Sequence, residues 1–164
     1  MLLNDAGNVT LRNGLTSRER EQRVGRIVAA AAGAYLLLCF LVPLVLPEGT
    51  VPELSGRANA LDYASQESWG NLNHGDDAKL GHDQPSRGTF AWSDLNPFLG
   101  FVYAVGDLNC HQKHERSWEI NGNQMPVCTR DIGIFIGLFI GAALFGLRGA
   151  VSYTHLTLPT ILLV

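Results

Sequence analysis

Two apolar runs, 27–46 and 132–147, set the terms for any fold of this chain, because they must be kept from water while the fifty residues after the first are polar. The first run is twenty residues without a charge. As a helix it is about 30 Å long, the thickness of a bilayer's hydrocarbon core. The second is sixteen residues, roughly 24 Å as a helix, with Arg130 and Arg148 placed to snorkel from its ends. The expectation is an all-α membrane protein. It has two transmembrane helices, a long polar outer loop, and a short β-hairpin-like segment rich in Cys and His.

The segments follow from this reading. Residues 1–26 form a cytoplasmic N-terminal segment, and 27–46 form the first span. Thr16 and Glu19 have capping-box spacing, which starts the helix near Ser17, and Pro47 and Gly49 end it. The run exceeds a usual signal-peptide core, and no Ala-x-Ala site follows it. Residues 47–96 form a polar outer loop, partly disordered, rich in Gly, Asp, Asn, Ser and Pro. His74 and His82 lie there with Asp76, Asp77 and Asp83, a set read as mostly solvated.

Residues 97–106 are apolar but too short to cross a membrane, so they are read as an interfacial or re-entrant segment beside Trp92. A third span is the rival reading, with Asp94 and Asp107 as its tight bounds. Residues 107–131 hold the Cys/His motif, and 132–149 form the second span.

Basic residues set the direction. Arg12, Arg18, Arg20, Arg23 and Arg26 precede the first span, and Arg148 follows the second. Between the spans, 47–131 carries six basic against twelve acidic residues. The positive-inside rule puts the N-terminus in the cytoplasm and 47–131 outside, in a multi-pass cell-membrane protein. The net charge of −3 gives no basic footprint for nucleic acid. Gly133, Gly137 and Gly141 make a smooth stripe on the second helix. That stripe suits close approach by another helix: the first span, a later span of this chain, or a second copy.

The chemistry-bearing residues cluster in 107–131. Asn121-Gly122 is a two-residue hairpin signal that sets Ile120 opposite Asn123, Glu119 opposite Gln124 and Trp118 opposite Met125. The return strand brings Cys128 back toward Cys110, His111 and His114. Three readings stand. These residues, with Asp131, could bind zinc or copper, which suit thiolate and imidazole ligands. Cys110 and Cys128 could form a disulfide, favoured in an oxidising exterior. Or Cys110 could be a reactive thiol whose pKa is lowered by His111 or Arg116, as in a membrane redox or hydrolytic enzyme. Asp131 also suits the positive end of the second helix. Cys39, mid-span, reads as an inert packing residue.

The segment Cys110-His111-Gln112, Arg116-Ser117-Trp118, Gly122 through Pro126 to Cys128 with Arg130, and Gly133-Ile134-Phe135-Ile136-Gly137 resembles the signature of domain of unknown function 2085. This is a family of small prokaryotic membrane proteins. The resemblance covers roughly 107–145. It implies a membrane location and marks this cluster as the family's focus, without supplying an activity. Many members have a further Cys where this chain has Asp131; the substitution weakens a purely thiolate metal site and allows a mixed one with an oxygen ligand.

The tail reads differently. Residues 151–160 are Val-Ser-Tyr-Thr-His-Leu-Thr-Leu-Pro-Thr, a string encoded in frame by a sequencing-library transposon end and adapter. Residues 150–164 are therefore expected to be an artefact that includes His155. The gene is then cut near Gly149, and further helices are expected to follow.

Overall fold

The computed structural model describes residues 18–56, 60–73 and 84–148. His74, His82, their neighbouring aspartates, the Thr16 cap and the tail from 149 lie outside the described residues. The chain divides into two compact units. One joins 1–31 with 138–164, and the other is 32–137.

Helix α1 (Arg18–Val45) and helix α4 (Thr129–Arg148) contribute to both units. α1 carries Pro43 inside its last turn. Both helices are long and apolar enough to cross a membrane. Only 28% and 11% of their apolar windows are buried, so neither resembles the core helix of a soluble protein. Leu37, Leu41, Leu44 and Val45 on α1 and Ile134, Leu138, Ile140 and Leu144 on α4 are exposed. Apolar surface of this extent needs lipid or another helix against it.

In the first unit the two helices meet at glycines. A Cβ on Gly25 would lie 2.8 Å from Phe145 Cδ1 and 2.9 Å from the Gly146 nitrogen. One on Gly146 would lie 2.8 Å from the Arg26 nitrogen. The close approach is thus at Gly25 and Gly146. Cβ positions on Gly133, Gly137 and Gly141 meet nothing within 4 Å among the described residues, so α1 is not the partner of that stripe.

In the second unit, α1 and α4 touch through Tyr35 and Phe135, whose rings are 5.0 Å apart. Helix α3 (Pro97–Asn109) and the single turn α2 (Gln84–Arg87) join them. At thirteen residues α3 is about 20 Å long, too short for a third span. Asn96 caps it by accepting from the Phe98 N–H at 3.0 Å, and Pro97 suits its first turn.

Strands β1 (Glu119–Ile120) and β2 (Asn123–Gln124) pair Glu119 with Gln124 and Ile120 with Asn123, the register expected from Asn-Gly. Asn121 and Gly122 have φ of 54° and 66°, the left-handed pair of a type I′ turn. The Met125 N–H donates to the Trp118 carbonyl at 2.9 Å, extending the ladder by one pair.

The polar loop, read from composition as partly disordered, has a packed interior in its described residues. Val51, Leu54, Tyr63 and Phe90 are buried with Val42, Leu46, Val102 and Tyr103. It has almost no regular backbone pairing. Buried amide side chains take that role. Asn71 accepts from the Phe90 N–H and donates to the Phe90 and Ser65 carbonyls. Gln84 accepts from the Ser55 N–H and donates to the Glu53 and Gly88 carbonyls. Each amide offers the donor and acceptor of a peptide group, and so stands in for a missing strand.

Candidate functional site

The Cys/His hairpin docks on the C-terminal end of α1. Carbonyls in the last turn of a helix have no intrahelical partner. Here Asn121 and Asn123 supply them. Asn121 Nδ2 donates to the Leu46 carbonyl at 2.9 Å, and Asn123 Nδ2 to those of Pro43 (3.1 Å) and Pro47 (3.0 Å). Asn123 Oδ1 accepts from the Val51 N–H, and Gln124 Oε1 from the Leu54 N–H. Gln124 Nε2 donates to the Gln112 carbonyl at 2.7 Å, and Tyr103 donates to the Gln124 carbonyl at 2.8 Å.

Beneath the hairpin, Cys39, Cys110, Met125, Val127, Cys128 and Ile132 form a buried cluster. Ligand atoms of Cys110, Cys128 and Asp131 lie within 4.8 Å of one another. The backbone N–H of Cys128 donates to Cys110 Sγ at 3.1 Å, and the Cys128 thiol to Asp131 Oδ2 at 3.4 Å. Cys110 and Cys128 are 1% and 4% exposed, and both are free thiols. The cluster packs on α1 at Cys39, six residues or about 9 Å before that helix ends, so it sits below the rim of the helix.

Burial, and then the Asp131 carboxylate, push the Cys110 thiol up to about 12, against partial relief from the Gln112 and Cys128 backbone N–H groups. This counts against the reactive-thiol reading. The expected activators, His111 and Arg116, are both exposed, and neither is among the groups that shift this thiol. A buried, protonated thiol is a poor nucleophile.

The five expected ligands therefore separate. Cys110, Cys128 and Asp131 converge, His111 stands apart, and His114 joins a different group. His114 Nε2 is 3.8 Å from Glu53 Oε1, and Nδ1 is 3.6 Å from Glu119 Oε1. Glu53 also pairs with Arg87 at 3.0 Å. All three side chains of that group are partly exposed, unlike the sulfur cluster. Glu53 had no sequence signal, being one acid in a polar loop. The hairpin register placed Glu119 but not its partner.

The remaining motif residues hold framework positions. Gln112 is fully buried at φ 46°, a left-handed conformation costly for a residue with a Cβ, and its side chain donates to the Pro126 carbonyl at 2.9 Å. Ser117 Oγ donates to the Lys113 carbonyl. The Arg116 carbonyl accepts from Thr129 Oγ1 at 3.1 Å, tying the start of α4 to the motif. Gly122 makes the turn, and Arg130 is exposed.

Asp107 is the strongest polar anchor that sequence reading passed over, having used it only as the bound of an apolar stretch. Its fully buried carboxylate accepts from the Asp62 N–H (3.1 Å), the Tyr63 N–H (3.0 Å) and Trp92 Nε1 (3.0 Å).

No solved structure matches the chain. The uncharacterized protein MJ1492 of Methanocaldococcus jannaschii is 43% identical over 44 residues, which are 27% of this chain and 28% of that protein. The chain thus matches little more than a quarter of its relative's length. A family model also matches, over residues 110–164. Residues 110–164 thereby carry the signature of the family described as predicted membrane protein, DUF2085.

Proposed function

We propose that this membrane protein is a multi-pass binding or transport component whose Cys110–Cys128–Asp131 cluster holds a zinc or copper ion near the outer face. In this reading the N-terminus is cytoplasmic and the hairpin faces outward. The supporting observation is the convergence of two buried thiols and a half-buried carboxylate within 4.8 Å. Two sulfurs and one oxygen suit zinc, and two sulfurs suit copper(I). Backbone N–H donation to Cys110 Sγ favours the thiolate that a metal needs. Three protein ligands leave a fourth position for an incoming group. Metal binding there would release the thiol protons that burial retains. The test is metal content of the protein purified in a membrane mimic. Zinc or copper near one equivalent in the wild type, lost in Cys110→Ser, supports the reading; a metal-free wild type overturns it.

The second reading is a structural module in which a Cys110–Cys128 disulfide fixes the hairpin for assembly with other helices. The proximity of the two cysteines favours it. Alkylation under denaturing conditions, with and without reductant, decides it by mass: both thiols modified without reductant exclude the bridge. An enzyme built on Cys110 has less support, because the thiol is buried and held protonated.

A further inference from the structure

Helix α3 has two faces that reverse the usual arrangement. Its buried side holds Gly100, Tyr103, Gly106 and the Asp107 carboxylate. Its outer side carries Phe98, Phe101 and Leu108, exposed at 58%, 62% and 54%. Steps of three and seven residues put these three on one stripe.

The helix's place beside α1 shows what that stripe meets. The Tyr35 hydroxyl donates to the Val102 carbonyl at 3.3 Å, and Val102 and Tyr103 share a cluster with Leu38, Val42 and Leu46. Tyr35 lies ten residues before the end of α1, about 15 Å along its axis, half the hydrocarbon thickness. α3 therefore runs alongside the outer half of the first span rather than above it. Short backbone elements survive at that depth only when their polar groups are satisfied within the protein. Side-chain and backbone partners meet part of this need at each end of α3. Asn96 accepts from the Phe98 N–H, while the Gly106 carbonyl accepts from the Cys110 N–H and the Val105 carbonyl from Asn109 Nδ2.

Against the same helix lies a cleft of about 370 Å³, lined chiefly by Trp92, Leu95, Pro97, Phe101 and Ala104, with almost wholly apolar walls. Gly100 floors it where a Cβ would come 2.5 Å from the Trp92 carbonyl oxygen.

The geometry points to α3 as a re-entrant helix in the outer leaflet, with the Trp92–Ala104 cleft holding an acyl chain of a bilayer phospholipid. The occupant follows from depth: Tyr35, halfway along the first span, bonds to the middle of α3, so Phe101, shared by the stripe and the cleft, lies at the level where the membrane reading puts acyl chains. This rests on the membrane reading but not on a metal.

The test uses the full chain in phosphatidylcholine vesicles with brominated acyl chains, which quench tryptophan on contact. A variant retaining only Trp92 (Trp69→Phe, Trp118→Phe) loses most of its emission, whereas one retaining only Trp69 keeps it. Ala104→Phe, which fills the cleft, restores much of the Trp92 emission. Equal quenching of Trp92 and Trp69 overturns the re-entrant placement, and an Ala104→Phe variant quenched as before overturns the acyl-chain site. Nitroxide labels give a check independent of tryptophan replacement. A label at Phe101→Cys is relaxed by oxygen over a water-soluble nickel complex, as is one at Leu37→Cys on α1, and one at Leu61→Cys shows the reverse. Leu37 in lipid with Phe101 in water ends this proposal and leaves the spans intact; both in water ends the two together.

Discussion

The hairpin-and-loop region and the two long helices solve one problem in opposite ways. Any backbone N–H or carbonyl withdrawn from water needs a partner. α1 and α4 satisfy theirs by their own helical ladder, which leaves the side chains free to be apolar and exposed. Among its described residues the hairpin-and-loop region has two residue pairs of sheet, and many of its partners are side chains: Asn71, Gln84, Gln112, Asn123, Gln124 and Asp107, all buried. Its interior holds polar side chains among apolar ones, while the surface of the helices is greasy. The lesson is that composition misleads in both directions. Polar residues here mark a built core, and an apolar run marks a surface.

The difference is broken most severely at Asp107. Asp107→Ala leaves the Asp62 and Tyr63 N–H groups and Trp92 Nε1 without their acceptor. Orphaned buried donors cost about 1–3 kcal/mol each, so the loss should reach about 3–5 kcal/mol. Thermal scans in detergent, with limited proteolysis between residues 60 and 96, measure it. Asp107→Asn keeps one acceptor oxygen and should lose less. Equal stability of the Ala variant and wild type would mean that the hairpin-and-loop region is not held by its buried polar side chains.

Glycines give the next largest contrast. A Cβ on Gly106 runs into the Pro126 carbonyl, a backbone atom that cannot swing aside, whereas one on Gly137 meets open space. Gly106→Ala should cost about 1–3 kcal/mol through overpacking. Gly137→Ala should be neutral, or stabilising by up to about 1 kcal/mol through helix propensity. Thermal midpoints of the two variants decide this. A destabilised Gly137→Ala would reveal a helix packed on the stripe from outside the described residues.

How far the sequence could be read follows the same division. The apolar runs were legible because a long stretch without charge is a local signal, and 27–46 and 132–147 fall in the two helices long and apolar enough to cross a membrane. The hairpin register was legible because Asn121-Gly122 fixes it locally. The partners of the amides were not, because Gln84 to Ser55 and Asn123 to Pro43 are long-range pairings with no periodicity to reveal them. The candidate site was half legible for the same reason. Cys110 and Cys128 come together through the hairpin. The turn that starts α4 then swings Asp131 onto the sulfurs, while the 3₁₀ turn His114–Arg116 carries His114 away toward Glu53.

Alkaline pH sharpens the contrast at the sulfur cluster. For metal-stripped protein, the folded Cys110 thiol titrates at about 12, above the ordinary thiol value it has when unfolded. The raised value means that the neutral thiol stabilises the fold. Its contribution is complete below the ordinary thiol pKa and is lost as pH rises from there through about 12. Wild type should lose stability over that window, and Cys110→Ser should lose less. Coincident curves for the two would show that burial of this thiol does not couple to folding.

The smallest effect belongs to His114. Its carboxylate neighbours are 3.6 and 3.8 Å away and partly solvated, and such pairs contribute about 0–1 kcal/mol, less at high salt. His114→Ala should therefore barely move the thermal midpoint. It should also leave any metal bound at Cys110, Cys128 and Asp131 in place, because the imidazole belongs to the separate group with Glu53 and Glu119. Metal content of His114→Ala beside that of Cys110→Ser measures this directly. Loss in both would mean that the imidazole swings to the thiols when a cation arrives. That would restore a Cys–His site and require the 3₁₀ turn at His114–Arg116 to move with it.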